Sequence, residues 1–278
     1  AHSPIALALQ ISHAGRKGSS RRPWEGGAQI RPDEPDGWQT EAPSAVSHAQ
    51  GEDAPMALDR DGLRRVRDEF VQATRRAARL GFDGIEVHGA HGYLLHQFLS
   101  PLSNHREDAY GGSFENRTRL AREVAAALRR VWPGELPLFL RLSATDWAEG
   151  GWDLEQSVEL AKALKPLGVD LVDCSSGGLV PGAKIPVAPG YQVPFAARLR
   201  AEAGLPTGAV GLITTPDQAE RILAEGSADL VLLGRELLRD PRWPLRAAQS
   251  LGVAVPWPAS YMRAASGSVA ARQPLTTP

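Results

Sequence analysis

One unit recurs along this chain: a helix with apolar residues on one face, a glycine stop, then a short apolar strand. Three echoes carry it: Leu80-Gly81-Phe82-Asp83-Gly84-Ile85-Glu86-Val87, Leu167-Gly168-Val169-Asp170-Leu171-Val172-Asp173-Cys174 and Gly226-Ser227-Ala228-Asp229-Leu230-Val231-Leu232-Leu233. The preceding helices place Leu63, Val66, Phe70, Ala73, Ala77 and Leu80, then Val158, Ala161, Leu164 and Leu167, then Ala219, Ile222 and Leu223 on one face each. Their starts are marked too. Asp153 with Gln156 reads as a capping box, and Thr215-Pro216 and Asp240-Pro241 put a capping side chain before proline. Strands this apolar need cover on both faces, which a parallel sheet flanked by helices supplies.

The spacing predicts six strands, at 5–11, 84–88, 138–142, 169–174, 208–213 and 229–233. A closed α/β barrel has eight. The competing architecture, an open doubly wound sheet, lacks its signature: no strand runs into a G-x-G-x-x-G turn, and Gly177-Gly178 is a poor substitute. No proline- or serine-rich linker divides the middle, so residues 1–263 read as one domain with a loop excursion at 16–59, and 264–278 as a polar tail.

Charge narrows the partners. With 31 Lys+Arg against 32 Asp+Glu the chain has no basic footprint for nucleic acid, which points to a small molecule. The single Cys174 allows no internal disulfide, no apolar stretch reaches membrane-spanning length, and the first residues lack the basic segment of a signal peptide. A cytoplasmic protein is expected. The absence of a starting methionine suggests a chain cut from something longer.

Chemistry concentrates in GIEVHGAHGYLLHQFLSPLSNHREDAYGG, from Gly84 to Gly112, which sets His88, His91 and Tyr93 just past the end of a strand. Barrels keep their active sites at that end. Two histidines there can donate to one oxygen, and a tyrosine can hand over a proton. The same histidines, with His96, also suit a metal-dependent hydrolase, though no second cluster stands at ligand spacing. Arg141 interrupts the apolar run Leu138-Phe139-Leu140-Arg141-Leu142. A buried guanidinium demands an anion, either a ligand or a carboxylate such as Glu86 or Asp173.

From Leu7 to Arg263 the chain resembles the Old Yellow Enzyme family of FMN-dependent ene-reductases, in its bacterial, thermophilic-like branch. The resemblance is carried by LQISHAGRK (9–17), VHGAHGYLLHQFLSPLSNHREDAYGGSFENR (87–117), LRLSATD (140–146), TGAVGLI (207–213) and LLGRELLRDP (232–241). It implies a (β/α)8 TIM-barrel fold of which the six strands are the third to eighth. It further implies FMN as cofactor, NADPH or NADH as hydride donor, and an alkene activated by a conjugated carbonyl as substrate.

Residue by residue, the resemblance assigns His88 and His91 to the substrate oxygen, with Gly89 and Ala90 between them in the substrate site. Tyr93 becomes the proton donor. Gln10 is placed against the flavin pyrimidine edge, Arg141 at flavin N1, and Gly234 with Arg235 on the FMN phosphate, with Gly211 contributing backbone. Arg263 is implied to reach a neighbouring subunit's site, in a homodimer or homotetramer. The family's first two strands, with the loop bearing its cysteine and an active-site tyrosine, have no counterpart here, and Cys174 cannot stand in for that cysteine. The expectation is an incomplete barrel with exposed edges at 5–11 and 229–233 and weak flavin binding. A catalytically silent barrel fragment is the rival reading.

Overall fold

The computed structural model describes residues 5–257 and 259–264. Residues 265–278, nearly all of the expected polar tail, lie outside the described residues. The elements follow the order β1 (Ala8–Ile11), β2 (Glu41–Ala42), β3 (Met56–Ala57), α1 (Arg60–Leu80), β4 (Gly84–Gly89), α2 (Leu94–Leu99), α3 (Phe114–Arg129) and β5 (Leu138–Ser143). They continue with α4 (Leu154–Leu164), β6 (Leu171–Ser175), α5 (Val193–Ala203), β7 (Thr207–Ala209), α6 (Pro216–Ala224), β8 (Leu230–Val231), α7 (Arg235–Arg239) and α8 (Trp243–Ser250).

All six expected strands are present, and they form one parallel sheet in the order β1-β4-β5-β6-β7-β8. Among the described residues β1 and β8 lie at the two ends of that order, with Leu7 and Leu230 about half exposed. The excursion at 16–59 is not featureless: β2 and β3 pair with each other, and short 3-10 turns occupy Gly15–Lys17 and Pro23–Glu25.

Several boundaries shift for local reasons. The strand expected at 208–213 ends at Ala209, because Gly211 (φ 124°) and Leu212 (φ 49°) leave the extended region. Asp153 accepts from the Gln156 amide, but the Gln156 side chain turns away to accept from Arg117, so only half of the capping box forms. Thr215 caps α6 as expected. Asp240 does not cap a helix starting at Pro241: it accepts from the Arg242 amide and pairs with Arg246, and α8 begins at Trp243. Two residues assigned to buried helix faces, Leu80 and Leu223, point to solvent.

Strand register decides where the chemistry goes. Ile85, Val87, Leu138, Leu140, Leu142, Val172 and Cys174 join the core with α1, α3, α4 and α5 residues such as Val66, Leu120, Leu160 and Leu199. Successive side chains alternate across a strand, so Glu86, His88, Arg141, Asp173 and Ser175 occupy the other face. The expectation of strands apolar on both faces therefore fails for β4–β6. Pairing aligns these residues in rows, Gln10 with Glu86, then His88 with Arg141 and Arg141 with Asp173, then Ser143 with Ser175.

Candidate active site

The turn after β4 is held from three sides. His91 adopts a left-handed conformation (φ 57°), unusual for a side-chain-bearing residue and maintained by its surroundings. Its amide donates to Ser143 Oγ at 2.9 Å, and its carbonyl accepts from Lys17 Nζ at 3.0 Å. The same ammonium donates to the Gly178 carbonyl at 3.0 Å. A Cβ at Gly178 would stand 2.7 Å from the His91 Cα, so only glycine allows the β6 loop to come this close. Gly89 and Ala90 are buried, and a Cβ on Gly89 would crowd the Arg141 carbonyl at 3.1 Å.

His96 completes the support from below. Its Nδ1 accepts from the Gly92 amide at 2.9 Å, and its Nε2 faces Asp146 Oδ1 at 2.8 Å, both side chains fully buried. Its Nδ1 is thereby used in structure, and the contact of its Nε2 with Asp146, close but without hydrogen-bond geometry, ties the turn after β4 to the one after β5.

Three aromatic rings meet above this base. His88 and His91 lie edge to face with centroids 5.0 Å apart, and Tyr93, at the N-terminus of α2, packs edge-on against His88 at 5.0 Å. His88 Nε2 is 3.3 Å from His91 Nδ1, and His91 Nε2 is 2.7 Å from Ser175 Oγ. Burial, reinforced by the Arg141 charge, pulls the His88 pKa down to about 4 and the His91 pKa down to about 3. Both imidazoles are neutral at pH 7.

Beside His91 a cavity of about 460 Å³ opens, walled by residues from β5, β6, α7 and the loops that follow the strands. It brings together five of the residues singled out from the sequence: His91, Arg141, Gly211, Gly234 and Arg235. His88 and Tyr93 stand behind His91, in ring contact with each other. Gln10 sits apart from the cavity on exposed β1, its amide donating to Glu86. Arg263 is exposed in a terminal 3-10 turn, Ala259–Ala264.

The cavity suits a phosphate-bearing flavin. Three guanidinium groups, Arg141, Arg235 and Arg239, line it against one carboxylate, Glu236, which Arg239 neutralises at 3.0 Å. The Arg235 side chain makes no protein hydrogen bond among the described residues, and a Cβ added at Gly234 would meet nothing within 4 Å. Gly211 lines the same wall in a conformation reserved for glycine. Arg141 Nε approaches Asp173 Oδ2 at 3.0 Å, the ion pair foreseen as an alternative, but the angle leaves Arg141 Nε and both Asp173 oxygens without a hydrogen bond. That buried charge contact is unsatisfied as it stands. Burial and the Glu86 carboxyl push the Asp173 pKa up, with Arg141 pulling the other way.

Sequence reasoning missed Lys17, Ser175, Ser176, Tyr191, Gln192, Thr214 and Arg239. The buried polar run Ser175-Ser176 at a strand end was a usable signal. Nothing in the local pattern marked Gln192, which reaches the site from the N-terminus of α5.

The parallel α/β sheet carries its polar rows and its basic cavity at the strand ends, where α/β barrels keep their active sites. Residues 5–253 match the NADH:flavin oxidoreductase / NADH oxidase family. The NADPH dehydrogenase of Halalkalibacterium halodurans is 49% identical over 257 residues, which is 92% of this chain and 70% of that protein. The Bacillus subtilis NADPH dehydrogenase is 46% identical over 257 residues, again 92% and 70%. Among solved structures, morphinone reductase in complex with tetrahydroNAD superposes with a TM-score of 0.70 at 28% identity, over 93% of this chain and 69% of that one. A 2-naphthoyl-CoA reductase complex gives 0.76 at 28% identity over 87% of this chain, which spans only 38% of that longer protein. The chain belongs to the NADH:flavin oxidoreductase / NADH oxidase family and is of the Old Yellow Enzyme type, an FMN-linked oxidoreductase. Among the described residues no three His, Cys, Asp or Glu side chains gather to hold a metal, and no helix is long and apolar enough to cross a membrane.

Proposed function

We propose that this chain takes electrons from NADPH or NADH through FMN and reduces the carbon–carbon double bond of an α,β-unsaturated carbonyl compound. The observation that carries this reading is the neutral His88–His91 pair, buried on its protein side and adjoining a cavity lined by Arg235 and by Arg141, whose contact with Asp173 makes no hydrogen bond. NADPH as donor is supported by the names of the relatives.

FMN, when bound, supplies the hydride. His88 and His91 donate to the substrate oxygen, where negative charge grows as the β-carbon is attacked, and neutral donors fixed in place stabilise that charge more than the ground state. Tyr93, held against His88, keeps the proton destined for the α-carbon. Arg141 answers negative charge on the flavin ring, Gly234 and Arg235 hold the phosphate, and Gly211 lets the backbone come close. Gln10 orients the pyrimidine edge by turning its amide from Glu86 to the flavin. Arg263, exposed at the end of the described chain, reaches the site of a second copy in a homo-oligomer.

The test is the double variant His88→Ala with His91→Ala. Binding of a phenol, read from the flavin absorbance, and enone reduction should both fall while FMN stays bound. Each donor lost from a developing oxyanion costs up to about 2.7–4 kcal/mol. Unchanged phenol affinity would refute the assignment.

A further inference from the structure

We propose that Ser175 is a positioning residue that sets the tautomer of the histidine pair, keeping the ring proton of both His88 and His91 on Nε2. This inference rests on the reading of the pair as substrate donors, and it says why those donors face the right way.

A neutral imidazole has one N–H, so a pair of neutral histidines presents two donors to one oxygen only if each proton sits on the correct nitrogen. The chain of contacts points to where each lies. Gln192 Nε2 donates to the Val210 carbonyl at 3.1 Å. A carbonyl is an acceptor only, so the NH2 of Gln192 must face it and its Oε1 must face the other way. There Oε1 accepts from Ser176 Oγ at 2.6 Å and from Ser175 Oγ at 3.4 Å. With its proton turned to Gln192, Ser175 offers a lone pair to His91 Nε2, 2.7 Å away, and that nitrogen must be the protonated one. His91 Nδ1 is then an acceptor, and His88 Nε2 at 3.3 Å must carry the proton that meets it.

The far end of the chain is consistent with that result. His88 Nδ1 is buried and has no hydrogen-bond partner. A buried N–H without an acceptor is the rarer and costlier state, so His88 Nδ1 is the bare nitrogen and Nε2 holds the proton. Both arguments converge on the two Nε2–H groups, which are released when a substrate oxygen arrives. Ser175, Ser176 and Gln192 are each buried in the wall of the cavity that His91 lines.

The experiment is nitrogen NMR on the full chain carrying 15N-labelled histidine, at pH 7, where bare and protonated ring nitrogens resonate far apart. In the parent, His88 and His91 should each show Nε2 protonated and Nδ1 bare. Ser175→Ala should move His91 to a mixture of tautomers, with His96, locked by Gly92 and Asp146, unchanged as the internal control. Ser175→Thr, which keeps the hydroxyl, should restore the parent pattern. Phenol binding should weaken about threefold to tenfold in Ser175→Ala, the value of one hydrogen bond. A proton on Nδ1 of either ring in the parent overturns the proposal even if no variant folds, and so does an unaltered pattern in Ser175→Ala. Failure of phenol to perturb either Nε2 in the parent would sink the donor reading and leave the tautomer assignment standing.

Discussion

Lys17 Nζ donates to the carbonyl of His91 at 3.0 Å across 74 residues of sequence, and the bond ties the loop after β1 to the turn that presents the histidine pair. The ammonium is mostly covered, and burial lowers its pKa. Its partners are the carbonyls of His91 and Gly178, with the Tyr93 ring 5.7 Å away. Replacing Lys17 by Met keeps the stem and strips both buried carbonyls of a donor. The expected loss is about 1–3 kcal/mol in stability, with weaker phenol binding and FMN retained. Denaturant melts and a phenol titration check it, and a variant matching the parent in both would show that the His91 turn holds without Lys17.

Tyr93→Phe separates the two half-reactions. The ring contact with His88 survives and only the hydroxyl is lost, so flavin reduction by NADPH should proceed at the parent rate while enone reduction drops about 10²–10⁴-fold. Stopped-flow measurement of each step decides, and equal slowing of both would make Tyr93 a packing residue.

Arg141→Met and Arg235→Met probe the cofactor end. Each removes one of the two cavity guanidinium groups that face no carboxylate or only a badly angled one. A lost charge-assisted hydrogen bond corresponds to FMN binding about 10- to 100-fold weaker. Arg141→Met also leaves Asp173 buried without its cation, so it should be the less stable of the two. Fluorescence titration with FMN reads the first effect and thermal melting the second; undiminished FMN affinity in both variants would displace the cofactor from this cavity.

Stability should fall in mild acid. Burial holds His88 at about 4, His91 at about 3 and His48 at about 4, each below the ordinary value of 6.5. The unfolded chain therefore binds protons at these sites before the folded one does. Their contribution is complete above about pH 6.5 and is lost as pH drops toward the folded values, at about 1.4 kcal/mol per pH unit for each histidine fully engaged. Melting temperatures between pH 7.5 and 4.5 should decline, with a shallower decline in His91→Gln. A flat profile would mean that these rings take up protons without unfolding.

Much of this is legible in the sequence. Helix faces, the Thr215 cap, the glycine stops and the six strands follow from period and punctuation, which are local properties of neighbouring residues. Arg141 betrayed itself as a charge in an apolar run. His91 and Tyr93 were evident from their place after a strand, and His88 from its place near that strand's end.

What stayed hidden depends on partners far along the chain. Whether Leu80 is buried, whether Asp240 caps a helix and which side of β5 faces the helices are decided by packing and register, where a local signal competes with the rest of the molecule. The row His88, Arg141, Asp173 exists only because three strands pair in one register. Lys17, Ser175 and Gln192 are unremarkable in sequence, and acquire their roles because the turn at His91 is closed by groups drawn from before and after it. Sequence alone determined which elements form and which residues carry reactive groups. Tertiary structure decided which of those groups share a proton or a charge, because hydrogen bonds and ion pairs act over about 3 Å, a distance that chain separation does not encode.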